Sequence, residues 1–313
     1  MRITSVNYMN QRNLFFLLFF VLAFLMAYAP IKALYDSASQ REYYSHIVLI
    51  PLVSIYLVFQ KRKLVFSEQE NTDGRGAHSP RNDRIAGISL LLAGALLYFV
   101  GRGVGAGLNQ NDFTAIIALA AVVFLNGGFI LSYGLHAYKA ALFPLLFLVF
   151  VIPIPSALMD GFIYFLQVGS TEFTNVLFMA TGVPFLREGF VFHLPGMSVE
   201  VAKQCSGIRS SLALLITAIL AGHMFLETGW KKVVLALTIV PITMFKNGIR
   251  ILILTLMGTY WDPRWLTESS LHRDGGIVFF ILALALMAPI LYWLRRGEGI
   301  GDRGKSNSGD SPE

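Results

Sequence analysis

Residues 199–222 of the chain have the sequence VEVAKQCSGIRSSLALLITAILAG. Here a polar, turn-rich segment runs directly into the apolar run Leu212–Gly222, which is typical of a chain entering a membrane. The segment contains Cys205, the one cysteine in 313 residues. A thiol at the start of a helix lies near unpaired backbone N–H groups and the positive end of the helix dipole, and both favour the thiolate. The stretch therefore predicts a nucleophile held at a membrane surface.

The residues next to the cysteine are compatible with a role for it as a nucleophile. Ser206 and Gly207 are small, so a substrate carbonyl could approach the sulfur closely. Arg209 follows four residues after Cys205, which places the two on the same face of a helix. The alternative is that a lone cysteine in a hydrophobic protein is a small, buried and unreactive apolar residue. Both interpretations stay open on this stretch alone.

Composition assigns the chain to the polytopic helical membrane proteins. Hydrophobic residues make up 55% of it, charged residues only 14%, and the mean hydropathy is +0.60. A soluble domain of this length does not need so much apolar surface. A single cysteine excludes an internal disulfide framework and a metal site with several thiolates. We expect no cofactor, no bound metal and no nucleic-acid partner; the oligomeric state is left open.

Hydropathy predicts eight membrane spans, the first of them at the N-terminus, where Leu14–Pro30 lacks the small-residue cleavage site of a signal peptide. An even number of spans puts both termini on one side. Most basic residues outside the spans fall on that side, as in Lys61–Lys63, so the positive-inside rule predicts cytoplasmic termini. Cys205 then lies on the outer face. The predicted spans are residues 14–31, 44–60, 85–101, 113–132, 138–158, 205–222, 232–257 and 276–294.

Three regions follow from these spans. Residues 1–135 are expected to form four N-terminal membrane helices, with a polar cytoplasmic loop at 60–84. Residues 136–296 are expected to form the catalytic core, with four further spans and an outer segment at 159–204. Residues 297–313 are polar and predict a mobile cytoplasmic tail.

The outer segment differs from the other connections. Gly161–Thr181 is apolar but too rich in polar residues to face lipid all round, so we expect it to lie in the interface or to line a cavity. In residues 185–201, β-branched and aromatic residues flank the turn-forming pair Pro195-Gly196. This pattern predicts a small β-hairpin that leads directly to Cys205. Such a hairpin could form one wall of a groove for an extended peptide.

The seventh predicted span contains a cluster of polar residues. Lys246, Asn247 and Arg250 are three and four residues apart, so they share one face of a helix. An arginine at the centre of a bilayer costs about 2.5–3.5 kcal/mol on insertion scales, and is tolerated where it meets a partner or a wet cavity. The alternative is an arginine near the outer end of the span whose side chain reaches lipid phosphates.

A histidine precedes the last predicted span, on the same predicted side of the membrane as Cys205. His272 lies in an outer loop with two tryptophans, which mark an interfacial belt. Histidine titrates near neutral pH, as an acid or base must, and Asp274 or Glu268 could orient it. A loop histidine can equally be merely solvated. His193, in the predicted hairpin, is the reserve candidate for the same role.

These residues together resemble the exosortase/archaeosortase family of membrane transpeptidase-like proteases. The cysteine block is specific, and the arginine and histidine pieces gain weight from their order along the chain. The resemblance covers about residues 136–296, while the first four spans match only in hydropathy. The matching pieces are Ile152–Pro155, Leu194–Gly196, Cys205–Ser210, Asn247–Arg250, and His272 followed by Gly275-Gly276.

The resemblance implies a Cys–Arg–His site at the membrane–water interface on the outer side of the membrane that the chain spans. In it Cys205 would be the nucleophile, Arg250 the stabiliser of the oxyanion and His272 the acid and base. Family substrates are membrane-anchored, exported proteins that end in a short motif such as Pro-Glu-Pro, a transmembrane helix and a basic cluster. Such systems accompany exopolysaccharide production in Gram-negative bacteria, which implies the inner membrane with the site on the periplasmic side.

Four residues are candidates for substrate binding. Arg209 is available for a substrate carboxylate, while Ser206, Gly207 and Asn247 line the predicted site. The cognate motif, and the choice between water and an amine as acceptor, stay open.

Two other functions remain open on the residues alone. The polar face of Lys246, Asn247 and Arg250, with Arg209, could line the pathway of a transporter or lipid-handling protein for an anionic solute. The chain could also be a non-catalytic scaffold for polysaccharide assembly. In both cases Cys205 would be incidental.

Overall fold

The computed structural model describes residues 2–36, 46–66, 80–203, 208–262 and 275–306. In these ranges the protein is helical apart from one small antiparallel sheet, which confirms the predicted all-α polytopic membrane protein. The strands are β1 (Leu186–Glu188), β2 (Val191–Leu194) and β3 (Met197–Glu200). The helices are α1 (Arg2–Asp36), α2 (His46–Gln60), α3 (Arg62–Phe66), α4 (Pro80–Val104), α5 (Gln110–Ala140), α6 (Leu142–Phe147), α7 (Ser156–Thr181), α8 (Ile208–Phe225), α9 (Gly229–Tyr260) and α10 (Gly275–Ser306).

Helices occur at all eight predicted span positions, but they are not all alike. Five are long and apolar enough to cross a bilayer, and a bent helix pair would make a sixth. Two further apolar helices, Ile47–Gln60 and Ser210–Phe225, are shorter than a straight span requires. The count of eight is therefore approximate. The five long segments are Gln11–Ala33, Arg81–Gly107, Gln110–Ala140, Gly229–Tyr260 and Ile277–Arg296.

The predicted span at 138–158 is not one straight helix. A 3-10 turn, Leu148–Val151, extends α6, and α7 begins only at Ser156, at an angle of 88°. Between them lies Ile152–Pro155, which contains two prolines. Proline has no N–H to donate and disfavours helical geometry in the residue before it, so the helix is interrupted there.

The chain divides into two compact units, Met1–Leu158 and Met159–Glu313. In the first unit α4 and α5 approach so closely that their contact requires glycine. A Cβ added at Gly94 would lie 2.7 Å from the backbone nitrogen of Phe124, and one added at Gly127 would lie 2.7 Å from that of Leu91. Small residues of this kind let membrane helices pack backbone to backbone.

The start of α5 fixes the proline-containing break. Asn109 caps α5 by accepting a hydrogen bond from the Asp112 N–H at 2.8 Å. The Asp112 carboxylate accepts from the Ser156 N–H at 2.6 Å, and the Asn111 amide donates to the Ile154 carbonyl at 2.8 Å. The first turn of one helix thus supplies the partners that the broken helix lacks.

In the second unit, α8, α9 and α10 pack around a shared apolar core. The Lys231 ammonium, near the start of α9, donates to the Leu294 carbonyl near the end of the apolar part of α10 at 2.9 Å. The two helices therefore run antiparallel. The buried core residues are Leu214, Ala218, Leu226, Leu235, Ile239, Ile242, Ala283, Met287 and Leu294.

The sheet packs against α7 and the second half of α9. The order is β1-β2-β3, with both pairs antiparallel, and Phe192 of β2 is buried in one cluster with Phe178 of α7 and Ile251 of α9. Gly196, with φ 87°, forms the turn between β2 and β3, so the predicted hairpin is confirmed. The strand β1 is an addition to that hairpin, because a second tight turn at Gly189, with φ 62°, reverses the chain once more.

Candidate functional site

The site is built around the polar residues of α9. Lys246 and Asn247 are buried, with 3% and 0% of their surface exposed, and Arg250 is half-buried. The helix is continuous here, so Arg250 lies one turn beyond Lys246, about 6 Å along the axis. Two basic groups on one face of a membrane helix mark a functional position rather than ordinary packing.

A hydrogen bond joins this face to the start of α8. The Lys246 ammonium donates to the hydroxyl of Ser210, which lies in the first turn of α8. Helix α8 therefore begins at the middle of α9, at the level of its polar residues. Because α8 begins at Ile208, the nucleophile candidate Cys205 precedes it by three residues.

Helix α7 lies against α9 at the same level. A Cβ at Gly248 would lie 3.1 Å from the Phe173 Cβ and 3.2 Å from the Thr174 backbone nitrogen. The Phe173 and Phe245 rings are in edge contact, with centroids 5.8 Å apart. Four of the polar residues that distinguish α7 from a lipid-facing helix are buried inside the protein, whereas Glu172 is exposed. The four buried residues are Gln167, Ser170, Thr171 and Thr174.

One of these residues holds the segment that leads to Cys205. The Gln167 amide donates to the Val201 carbonyl at 2.6 Å, and both groups are buried. The Val201 N–H donates to the Phe190 carbonyl at 2.9 Å. The chain that leaves β3 is thus fixed from two sides. The sequence shows Gln167 as a polar interruption in an apolar run, but its partner lies 34 residues away and has no side-chain signature.

The surface of the sheet carries its own polar contacts. Arg187 donates to both carboxylate oxygens of Glu172 on α7, at 2.7 and 3.1 Å, and these bonds raise the pKa of the Arg187 guanidinium. The imidazole of His193 lies 2.8 Å from the Ser198 hydroxyl through Nδ1 and 3.6 Å from the Glu188 carboxylate through Nε2. The reserve acid–base candidate is therefore engaged on an exposed face of the sheet.

The predicted site residues fall into two groups. Asn247 and Arg250 lie on α9, and Arg209 is in the first turn of α8. Cys205, with Ser206 and Gly207, lies outside the described residues, and so does His272.

The helices that follow these gaps, α8 and α10, both run opposite to α9, since α8 and α9 are joined by the short Leu226–Thr228 connection and α9 runs antiparallel to α10. Both therefore begin on the side of the three-helix core toward which α9 runs, and α9 continues for 14 residues past Lys246, the residue that marks the level at which α8 begins. Among the described residues, no group of three or more histidine, cysteine, aspartate or glutamate side chains could hold a metal ion.

A family model described as transmembrane exosortase (Exosortase_EpsH) matches residues 37–289. The chain belongs to the transmembrane exosortase family. This is a family of membrane sorting enzymes. No curated protein and no solved structure matches the chain.

The family match extends further along the chain than the sequence motifs that carry the resemblance. It begins at residue 37, before α2, whereas the motifs that carry the resemblance begin at Ile152. The estimate that the similarity covers only about residues 136–296 is therefore too short. In the N-terminal spans one apolar residue can replace another with little effect. These spans therefore contain few residues by which their family could be recognised from the sequence.

Proposed function

We propose that the chain is a cysteine peptidase or transpeptidase that cleaves the C-terminal sorting signal of exported proteins. Cys205 is its nucleophile, Arg250 its oxyanion stabiliser and His272 its acid and base. The catalytic core is residues 136–296, including the outer segment 159–204.

One observation supports this proposal above the others, namely the Lys246–Ser210 hydrogen bond. It brings the start of α8 against the face of α9 that carries Asn247 and Arg250. Three residues of chain reach at most about 11 Å from Ile208, and this limit is compatible with a nucleophile at Cys205 near that level of α9. The same limit allows the Cys205 sulfur to lie beside the Arg250 guanidinium, as the proposed mechanism requires.

The reaction consists of two acyl transfers. The Cys205 thiolate attacks the scissile carbonyl carbon, and the resulting oxyanion accepts hydrogen bonds from Arg250. The carbon–nitrogen bond breaks, His272 gives a proton to the leaving amine, and a thioester is left on the enzyme. Water or an amine then attacks the thioester and releases the cysteine. Removal of an oxyanion donor in other enzymes costs roughly 3–4 kcal/mol, which sets the scale for Arg250.

The substrate is held in the bilayer by its own C-terminal helix, which brings the scissile bond to the membrane surface. The protein lies in the bacterial inner membrane with both termini, including the tail 297–313, in the cytoplasm and the site on the periplasmic side. Arg209 binds a substrate carboxylate, Ser206 and Gly207 leave room for the carbonyl, and Asn247 supports the site from one turn before Arg250.

Replacement of Cys205 by Ala tests the proposal. We expect an exported protein with a terminal hydrophobic helix and basic end to accumulate as a longer, membrane-anchored precursor, detected by immunoblot of an epitope-tagged copy. A transporter or a scaffold would not need the thiol, so normal processing in the Cys205→Ala strain would exclude the peptidase.

A matched pair of histidine variants tests the acid–base assignment. His272→Ala should also accumulate the precursor, whereas His193→Ala should process it normally because His193 is engaged with Ser198 on the sheet surface. The reverse result would move the acid–base role to His193.

A further inference from the structure

We propose that the outer edge of β3 binds the substrate, as an added strand formed by the extended peptide that precedes the substrate's membrane helix. The inference rests on the proposed function, which it deepens by assigning a recognition surface. It depends on the register of the sheet, on the exposure of β3 and on the fact that the chain continues from β3 to Cys205.

The register shows which backbone groups face outward. The Val201 N–H bonds to the Phe190 carbonyl, so residues 190 and 201 form a hydrogen-bonded pair. Hydrogen-bonded and non-bonded pairs alternate along an antiparallel ladder. In the pairs His193–Ser198 and Val191–Glu200, the two residues are therefore not hydrogen-bonded to each other. The N–H and C=O groups of Ser198 and Glu200 point away from β2, toward the outer edge.

This outer edge has no partner in the part of the chain that the structure describes. The backbone groups of Ser198 and Glu200 make no hydrogen bond there, and both residues are exposed. An unpaired row of alternating donors and acceptors is the template on which extended peptides add as a further strand. Main-chain bonds provide the affinity in that mode, and the side chains of the peptide provide the specificity.

The position of β3 favours a substrate peptide as the occupant. The Gln167 amide and the Phe190 carbonyl hold Val201 directly after the strand, so the edge has a fixed orientation relative to α7. Glu200 precedes Cys205 by five residues, which span at most about 18 Å. A peptide that pairs with Ser198 and Glu200 is therefore bound in an extended conformation, next to a strand that is at most about 18 Å from the nucleophile.

The opposite edge of the sheet is a natural control. Glu188 on β1, Val191 on β2 and Glu200 on β3 are neighbours in one row across the sheet. Glu188 and Glu200 are both exposed glutamates, but only β3 leads directly to Cys205.

Proline variants test the hydrogen-bonding edge. Ser198→Pro and Glu200→Pro each delete an outward N–H, and edge strands tolerate proline at such positions. Ser198→Val and Glu200→Val remove the side chain but keep the N–H. The probe is the tagged precursor that accumulates in the Cys205→Ala strain. We expect each proline variant to cleave it at least ten-fold more slowly, through a higher KM, than the valine variant at the same position.

Two readouts separate a binding defect from a folding defect. The rate of Cys205 alkylation by a maleimide and the thermal unfolding midpoint in detergent should be unchanged in the proline variants. Cleavage by the proline variants at the same rate as by the valine variants would overturn the proposal for β3.

Disulfide trapping gives an independent answer, because Cys205→Ala leaves a chain without cysteine. In that background we introduce Glu200→Cys or, as the control, Glu188→Cys, and add the tagged precursor with one cysteine ahead of its membrane helix. Paired strands bring Cα atoms to about 5.5 Å, which a disulfide can bridge. We expect a cross-link to the precursor from Glu200→Cys and none from Glu188→Cys.

The remaining outcomes also decide the matter. A cross-link between two copies through Glu200→Cys without precursor would assign the edge to self-association and overturn the proposal. If Cys205→Ala processes every exported protein normally, the proposed function falls and the β3 inference falls with it. If Cys205→Ala blocks processing and the proline variants do not, only the inference falls.

Discussion

At the scale of single residues, Lys246 has the most unusual environment among the described side chains of α9. The residue is 3% exposed, and the hydrogen bond of its ammonium goes to the neutral hydroxyl of Ser210. Burying a charge is expensive unless it is hydrogen-bonded, so such a group is retained for a reason other than packing. We interpret Lys246 as a positioning residue that fixes the start of α8 against the face that carries Arg250.

A substitution pair tests this positioning role. Lys246→Met removes the bond to Ser210 and should lower the processing rate at least ten-fold, because the start of α8 is no longer fixed. Lys246→Gln, which still donates a hydrogen bond, should retain more of the rate. The measurement is precursor processing together with the pH profile of Cys205 alkylation. Equal processing by wild type and Lys246→Met would contradict the role.

Arg250 should not be replaceable even by lysine. A planar guanidinium presents two donors in a fixed fork, which a single ammonium does not reproduce. Arg250→Lys should reduce kcat by about 10²–10³, the range found when an oxyanion donor is removed. Arg187→Lys is the control, since an exposed ion pair such as Arg187–Glu172 contributes at most about 1 kcal/mol. Normal kcat in Arg250→Lys would remove the guanidinium from the mechanism.

The residue types of this site could be chosen from the sequence, but their contacts could not. A lone cysteine before an apolar run, and Asn247 and Arg250 inside another, are local signals. The bonds from Lys246 to Ser210 and from Gln167 to Val201 join residues 36 and 34 positions apart. Such pairs depend on how helices pack, and periodicity carries no information about them.

At the scale of elements, helix–helix contacts in the first unit depend on glycine at defined positions. A Cβ at Gly94 would meet backbone atoms of α5, namely the Phe124 nitrogen at 2.7 Å and the Ala120 carbonyl oxygen at 2.9 Å. Backbone cannot swing aside as a flexible side chain can, so the helices must separate. Gly103, on the same helix, has nothing within 4 Å of the added atom.

Alanine at these two glycines should have different effects on stability. Gly94→Ala should lower the free energy of unfolding by about 1–3 kcal/mol, the usual penalty of overpacking. Gly103→Ala should leave it unchanged or raise it by up to about 1 kcal/mol, because alanine favours the helix. Thermal unfolding of the two variants in detergent measures the difference. Equal midpoints would mean that α4 and α5 do not pack through Gly94.

The elements themselves were predictable to different degrees. Long apolar runs and the turn at Pro195-Gly196 identify most helices and the β2–β3 hairpin. The break at Ile152–Pro155 was missed because hydropathy averages over two prolines, which are decisive only through backbone geometry. Strand β1 was missed because its three residues are too few to show alternation, and its pairing depends on the turn at Gly189.

At the scale of the whole molecule, the site depends on a consistent direction of the helices across the membrane. The segments that precede α8 and α10 contain Cys205 and His272, and these two helices begin on the side of the three-helix core toward which α9 runs. The positive-inside rule predicts this side to be periplasmic, because most basic residues outside the predicted spans fall on the side predicted to be cytoplasmic.

Labelling with a membrane-impermeant maleimide tests that orientation, because each single-cysteine protein reports one position. In intact spheroplasts we expect the wild type to be labelled at Cys205, and Cys205→Ala/Glu200→Cys to be labelled in the sheet. Cys205→Ala/Lys61→Cys, in the turn between α2 and α3, should be labelled only after the membrane is permeabilised. The reverse pattern would place the thiol in the cytoplasm. An exported substrate could not reach it there, so orientation is the property of the whole molecule on which the proposed peptidase activity depends.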